Sequence, residues 1–137
     1  MIKDKEKIVV SGKRKRSIAR AIISKGTGKI TINKKPYNFL PNLRRLMIDE
    51  PLRIAKDVLG KVDYDISVSL RGGGIESNIE AARLSIARAL VLASKSKELR
   101  KAFISYDRNL LIADTRRKEP YKPGDSKARR KRQKSYR

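Results

Sequence analysis

The 137-residue chain contains no cysteine, no histidine and no tryptophan. Without Cys there is no disulfide framework, and without Cys and His there is no structural zinc site of the usual kind. Histidine-based acid–base catalysis and Ser–His triads are excluded with them. The lack of Cys fits a reducing cytoplasm. No apolar run approaches the roughly 18–20 residues that a membrane-spanning helix needs. The first ten residues, MIKDKEKIVV, lack the apolar centre of a secretory leader. No amphipathic helix with a bulky aromatic face offers itself to a membrane surface. Acidic residues are scarce: 14, against 36 Lys and Arg, for a net charge of +22. Such a balance points to a polyanionic partner.

The excess charge lies at the two ends. Residues 115–137, TRRKEPYKPGDSKARRKRQKSYR, hold eleven basic and two acidic side chains. They contain no aliphatic side chain larger than that of Ala128, so burial cannot offset the entropy of ordering them. Pro120, Pro123 and Gly124 break any continuous helix. This predicts an extended basic tail, 115–137, that takes its shape from a nucleic acid. A solubilising tail or a localisation signal is the plainer alternative. Residues 1–114 read as a single globular domain.

Within that domain, Lys7–Ser11 reads as a first strand, followed by the cations Lys13, Arg14, Lys15 and Arg16 after Gly12. Four adjacent like charges suit a loop or strand end lying against phosphate; a solvated turn is the alternative. Ser17–Ser24 reads as a strand anchored by Ile18, Ile22 and Ile23, joined through Gly26-Thr27-Gly28-Lys29 to the strand Ile30–Ile32 as a hairpin. The GTGK string lacks both the glycine spacing and the following Ser or Thr of a nucleotide-binding loop. Asn33–Pro36 is read as a turn that ends the meander. Leu43, Leu46 and Met47 lie at helical spacing after Pro41-Asn42, and Glu50-Pro51 is read as a break before a second helix that stops at Gly60. Asp63–Leu70 alternates strictly, with Tyr64, Ile66, Val68 and Leu70 on the buried face. A long helix is expected from about Ile75 to Ser94, its regular part starting a turn later if Ser77 and Glu80 form a capping box. A shorter helix follows over Lys95–Ile104, and then an apolar run, Leu110–Ile112, suited to a short strand.

Between the Asp63–Leu70 strand and the long helix stand Arg71-Gly72-Gly73-Gly74. A dinucleotide fingerprint is a poor reading, because Ser77 occupies the third small position and no second strand with an acid follows. Two readings remain: a tight turn before a packed helix, or a close backbone approach to RNA phosphate aided by Arg71. The nearest approach to a catalytic carboxylate pair is Asp63 and Asp65, which alternate with apolar residues as a strand's solvent face does. No enzyme, cofactor or metal is expected.

The stretch GGGIESNIEAARLSIARAL, Gly72–Leu90, resembles the signature of the universal small-subunit ribosomal protein nine family. Three glycines, Ser77, the small residues Ala81, Ser85 and Ala87, and Arg88-Ala89-Leu90 match it; Asn78 stands where the family usually has Gln. SGKRKRSIARA, GTGKITINKKPY and the ending RRKRQKSYR also match, the ending resembling the archaeal and eukaryotic branch. The resemblance implies an α+β fold, a small mixed sheet with helices on one face and a left-handed crossover, like the second domain of small-subunit ribosomal protein five. It implies a structural constituent of the cytoplasmic ribosome, bound to rRNA in the head of the small subunit among neighbouring head proteins. It further implies a tail whose tip touches phosphates of the anticodon stem-loop of P-site tRNA.

Carried over by position, Arg137, Tyr136, Ser135 and Lys134 would meet tRNA. Lys13, Arg14, Lys15, Arg16, Arg71, Arg116, Arg117, Lys118, Lys122, Lys127, Arg129, Arg130, Lys131 and Arg132 would meet rRNA. Neither a membrane nor a small-molecule substrate is expected. The alternative is a generic RNA-binding or RNA-chaperone module with no fixed ribosomal site.

Overall fold

A computed structural model describes residues 7–121 and Tyr136. Five strands form one mixed sheet: β1 (Ile8–Arg14), β2 (Ser17–Lys25), β3 (Ile30–Ile32), β4 (Lys35–Pro36) and β5 (Tyr64–Arg71), in the order β1-β2-β5-β3-β4. Three helices complete it: α1 (Asn42–Leu59), α2 (Ile75–Ser94) and α3 (Lys97–Tyr106). Short 3-10 turns cover Tyr37–Phe39 and Arg108–Leu110. The α+β class and the mixed sheet agree with expectation.

The topology differs from the expected meander in one respect. β2 does not pair with β3; β5 lies between them, antiparallel to β2 and parallel to β3. The Gly26–Lys29 segment is therefore a connection across the width of a strand. Asp65 holds it down: its Oδ1 accepts from the amides of Thr27 and Lys29, each at 2.9 Å. Those amide bonds, Lys29 first, keep the Asp65 carboxyl below its ordinary range. The true tight turn comes next. Ile32 pairs with Lys35 across Asn33 and Lys34, both with positive φ, as a two-residue hairpin of matching twist requires.

Strand β2 buries one of its three expected anchors, Ile23, and turns the other two outward. Ser17, Ala19, Ala21 and Ile23 are buried, while Ile18 and Ile22 are exposed. The reason is the closeness of α2, which packs across β1, β2 and β5. A Cβ placed on Gly12 would stand 2.9 Å from the Ser85 amide. Only small side chains fit that gap, so Ala81, Ala82, Ser85 and Ala89 of α2 meet the small residues of the sheet. The alternation of β5 holds as expected, with Ile66 and Val68 at its buried centre.

The expected break at Glu50-Pro51 does not occur. Pro51 lies inside a single helix, α1, buried with Ile48 and Ala55. Burial of that face outweighs the hydrogen bond that proline cannot donate. The apolar stripe runs through Ile48 and Ala55, which leaves Leu43 and Leu46 exposed. Helix α2 occupies the expected bounds from its first residue; Gly74 is its N-cap, and Ser77 Oγ accepts from the Gly74 amide at 3.2 Å. The cap is thus served by Ser77 alone, since a glycine N-cap has no side chain to reciprocate. Helix α3 starts two residues later than expected because Ser96 caps it, accepting from the Leu99 amide at 3.2 Å. Leu110 is buried in a 3-10 turn, not a strand. Phe103 and Leu99 of α3 close the core beside α1 and α2.

Candidate nucleic-acid interface

The predicted cations separate into three groups. The first surrounds a cavity of about 730 Å³, lined by Lys15, Arg16, Gly73, Gly74, Ser77, Arg116, Arg117 and Lys118, with Arg14 at its inner wall. Three chain segments meet here for local reasons. Arg14 pairs with Ser17, so Lys15 and Arg16 form the tip of the β1–β2 hairpin, Lys15 with φ 51°. The glycine loop folds against that tip: Gly72 and Gly73 have φ of 73° and 64°, and a Cβ on Gly72 would stand 2.8 Å from the Arg16 carbonyl oxygen. Ser17, fully buried, ties the two together: its Oγ lies 3.0 Å from Ser77 Oγ and 3.4 Å from the Gly72 carbonyl oxygen. The tight-turn reading of the glycines therefore holds for Gly72 and Gly73. Gly74 faces the cavity, with no atom nearer than Ser77 Oγ at 3.9 Å from its would-be Cβ.

Five cations facing one hollow, with no carboxylate in its lining, make a site for anionic oxygens. The start of the 20-residue helix α2 adds its dipole and its first-turn amides. The cations differ in freedom. Lys15 and Arg16 are exposed. Lys118 Nζ rests 4.7 Å from the centre of the Tyr121 ring, and Arg117 donates to the carbonyls of Asp114 and Arg116. Arg116 is held by Asp114, whose Oδ2 accepts from Nη2 at 2.7 Å. These hydrogen bonds, from the Arg116 side chain first and its amide next, hold the Asp114 carboxyl well below the usual carboxylate range.

The second group is Arg14 alone, and it departs from expectation. It shares the helix-facing side of β1 with Val10 and Gly12, so its guanidinium turns inward. It pairs with Glu80, and its Nη1 lies 2.8 Å from Asp114 Oδ2. Next to it Arg83 joins Glu50 of α1 to Asp107, at 2.5 and 3.1 Å. Tyr106 also donates to Glu50, at 2.6 Å, which raises the phenol pKa. Four carboxylates are thereby committed to joining elements, and Arg14 serves the fold.

The third group lies on the sheet face away from the helices, where Lys13 and Arg71 are exposed. Arg20 lies between them on the same face, a cation that the sequence reading passed over. Its signal was available: it follows Ile18 and precedes Ile22 at strand spacing, once Ala19 and Ala21 are recognised as the buried side. Tyr136 is exposed. Lys122, Lys127, Arg129, Arg130, Lys131, Arg132, Lys134, Ser135 and Arg137 lie outside the described residues. No helix among the described residues is long and apolar enough to cross a membrane.

Comparison with known proteins agrees with this chemistry. The family model described as ribosomal protein S9/S16 matches residues 12–137. The chain is 44% identical over 129 residues to small ribosomal subunit protein uS9 of Methanococcus vannielii, covering 92% of this chain and 95% of the relative. It is 46% identical over 129 residues to the protein of that name from Methanococcus maripaludis, with coverage of 92% and 95%. A match that takes in the basic hairpin, the glycine loop and the tail together places the chain in a family: it belongs to the ribosomal protein S9/S16 family.

Proposed function

We propose that this chain is a constituent of the small ribosomal subunit that binds rRNA in the head through its basic surfaces and guides a basic tail to P-site tRNA. Family membership carries the ribosomal part of this reading. The protein is structural and not an enzyme, and it works in translation on the cytoplasmic ribosome among other small-subunit proteins. Its body, residues 1–114, docks on rRNA. Lys15, Arg16 and Arg116–Lys118 take phosphates at the cavity, and contact with phosphate positions the body without reading sequence. Arg14 positions the hairpin from beneath.

The tail, residues 115–137, runs extended through rRNA. Lys122, Lys127 and Arg129–Arg132 neutralise phosphates along its path. Lys134, Ser135, Tyr136 and Arg137 meet the anticodon stem-loop of P-site tRNA. A P-site arm accepts every tRNA, and the planar, always charged fork of arginine suits backbone phosphate. The same resemblance supports the left-handed crossover of the second domain of small-subunit ribosomal protein five for the β3–α1–β5 connection.

Two measurements test this. Sedimentation through a high-salt gradient separates an integral component, retained at one copy per small subunit, from a generic RNA binder released into the light fractions. Removal of Lys134–Arg137 leaves the body assembled and speeds tRNA dissociation from the P site, by the equivalent of about 1.5–3 kcal/mol at most. Unchanged dissociation removes the tRNA contact from the reading.

A further inference from the structure

We propose that the sheet face which no helix among the described residues covers seats in the shallow groove of an RNA double helix, a second RNA surface separate from the basic cavity. The proposal rests on the ribosomal reading and deepens it. The pairing register sets out this face in three rows. Lys13, Ile18 and Arg71 form one; Ser11, Arg20 and Ser69 the next; Val9, Ile22, Ser67 and Thr31 the third. The rows thus offer three cations, four hydroxyls and three aliphatic side chains across β1, β2, β5 and β3.

Charge selects an anionic occupant. None of Lys13, Arg20 and Arg71 enters an ion pair with another described residue. Asp65, the carboxylate on the β5 part of this face, lies at the far end with its Oδ1 occupied by the Thr27 and Lys29 amides. The aliphatic residues Val9, Ile18 and Ile22 are 58%, 48% and 38% exposed; Val9 and Ile22 are neighbours across β1 and β2, and Arg20 parts them from Ile18. An apolar protein interface would want them contiguous.

The absence of rings selects duplex over single strand. Sheets that read unpaired bases stack them on aromatic side chains. No aromatic residue stands on these rows, and Tyr64 of β5 belongs to the helix-facing side with Ile66 and Val68. A surface that sets cations among hydroxyls, without rings, instead matches the wide, shallow groove of A-form RNA. That groove displays 2′-hydroxyls between two phosphate ridges.

The test uses the full chain, which has no native Cys, so one introduced thiol is unique. Ser67→Cys, on the open face, and Lys101→Cys, on the exposed side of α3, each carry a tethered iron chelate that cleaves nearby RNA. Both are rebuilt into small subunits. Cleavage from position 67 in two rRNA segments that pair with each other, absent from position 101, is the expected result. Cleavage confined to an unpaired loop, or none at all with crosslinking to a neighbouring protein, overturns the proposal while leaving the ribosomal reading intact. Failure of the unlabelled wild-type chain to enter the subunit overturns both. Separately, Arg20→Gln lowers the log–log salt slope of head-rRNA binding by about 0.9, one phosphate's share; an unchanged slope removes Arg20 from the contact.

Discussion

Asp114 Oδ2 lies 2.8 Å from Arg14 Nη1. The residue that precedes the basic tail thereby grips a strand a hundred residues away in sequence. Asp114 also receives Arg116, so one carboxylate fixes both the hairpin and the first turn of the tail relative to α2.

Arg14 and its neighbours therefore differ in their variants. Arg14→Ala lowers the thermal unfolding midpoint, because Glu80 and Asp114 lose their shared partner. Lys15→Glu with Arg16→Glu leaves the midpoint nearly unchanged and reduces rRNA affinity, with the salt slope falling by about 0.9 for each phosphate lost. Calorimetry and filter binding at several salt concentrations separate the two effects.

The closeness of α2 to the sheet is tested at Gly12. Gly12→Ala pushes a methyl against the Ser85 amide and the neighbouring helix carbonyl, and costs about 1–3 kcal/mol by denaturant unfolding. Gly60→Ala, where a Cβ would meet no atom, has only its φ of 75° to contend with and costs about 1 kcal/mol.

Two carboxylates make stability depend on acid. Asp65 and Asp114 both titrate below their unfolded value of 3.8. Their contribution is present above pH 3.8 and is lost as pH falls through the lower folded values. Asp114→Asn therefore unfolds more readily than wild type at pH 7, and the two converge as the pH drops below 3.8. Thermal scans at pH 7, 4 and 2 follow the convergence.

Among the described residues, Phe103 is the largest fully buried side chain. Phe103→Ala costs about 3–5 kcal/mol, since the cavity left beside α1 and α2 relaxes only in part. Chemical denaturation measures it, and retention of the RNA footprint at low temperature shows that the loss is one of packing.

Local pattern made some of this fold legible and long-range packing hid the rest. The strict alternation of Tyr64–Leu70 and the small-residue spacing of Ile75–Ser94 carried their elements at nearly the right bounds. Pro51 misled because a proline's local cost is visible in sequence while the burial that offsets it is not. Ile18 and Ile22 misled because size suggested burial, whereas the helix-facing side of β2 holds the small Ala19 and Ala21 where α2 comes closest. The basic hairpin was legible as a charge cluster. Its division into inward Arg14, tip Lys15 and Arg16, and open-face Lys13 follows from strand parity, which the cluster alone does not reveal. The cavity itself was not legible, since residues 15 and 74 meet through Ser17 and the glycine loop, and residue 117 joins them through Asp114.

The place of β5 has a consequence for how the molecule comes into being. β2 and β3 flank a strand that starts some thirty residues after β3 ends, with the whole of α1 in between. A growing chain therefore carries two unsatisfied strand edges until Tyr64–Arg71 is complete. Pairings over such distances form slowly, and open edges invite other chains. The positive charge that later finds phosphate has earlier work: like-charged nascent chains repel, which keeps these edges apart until the central strand arrives.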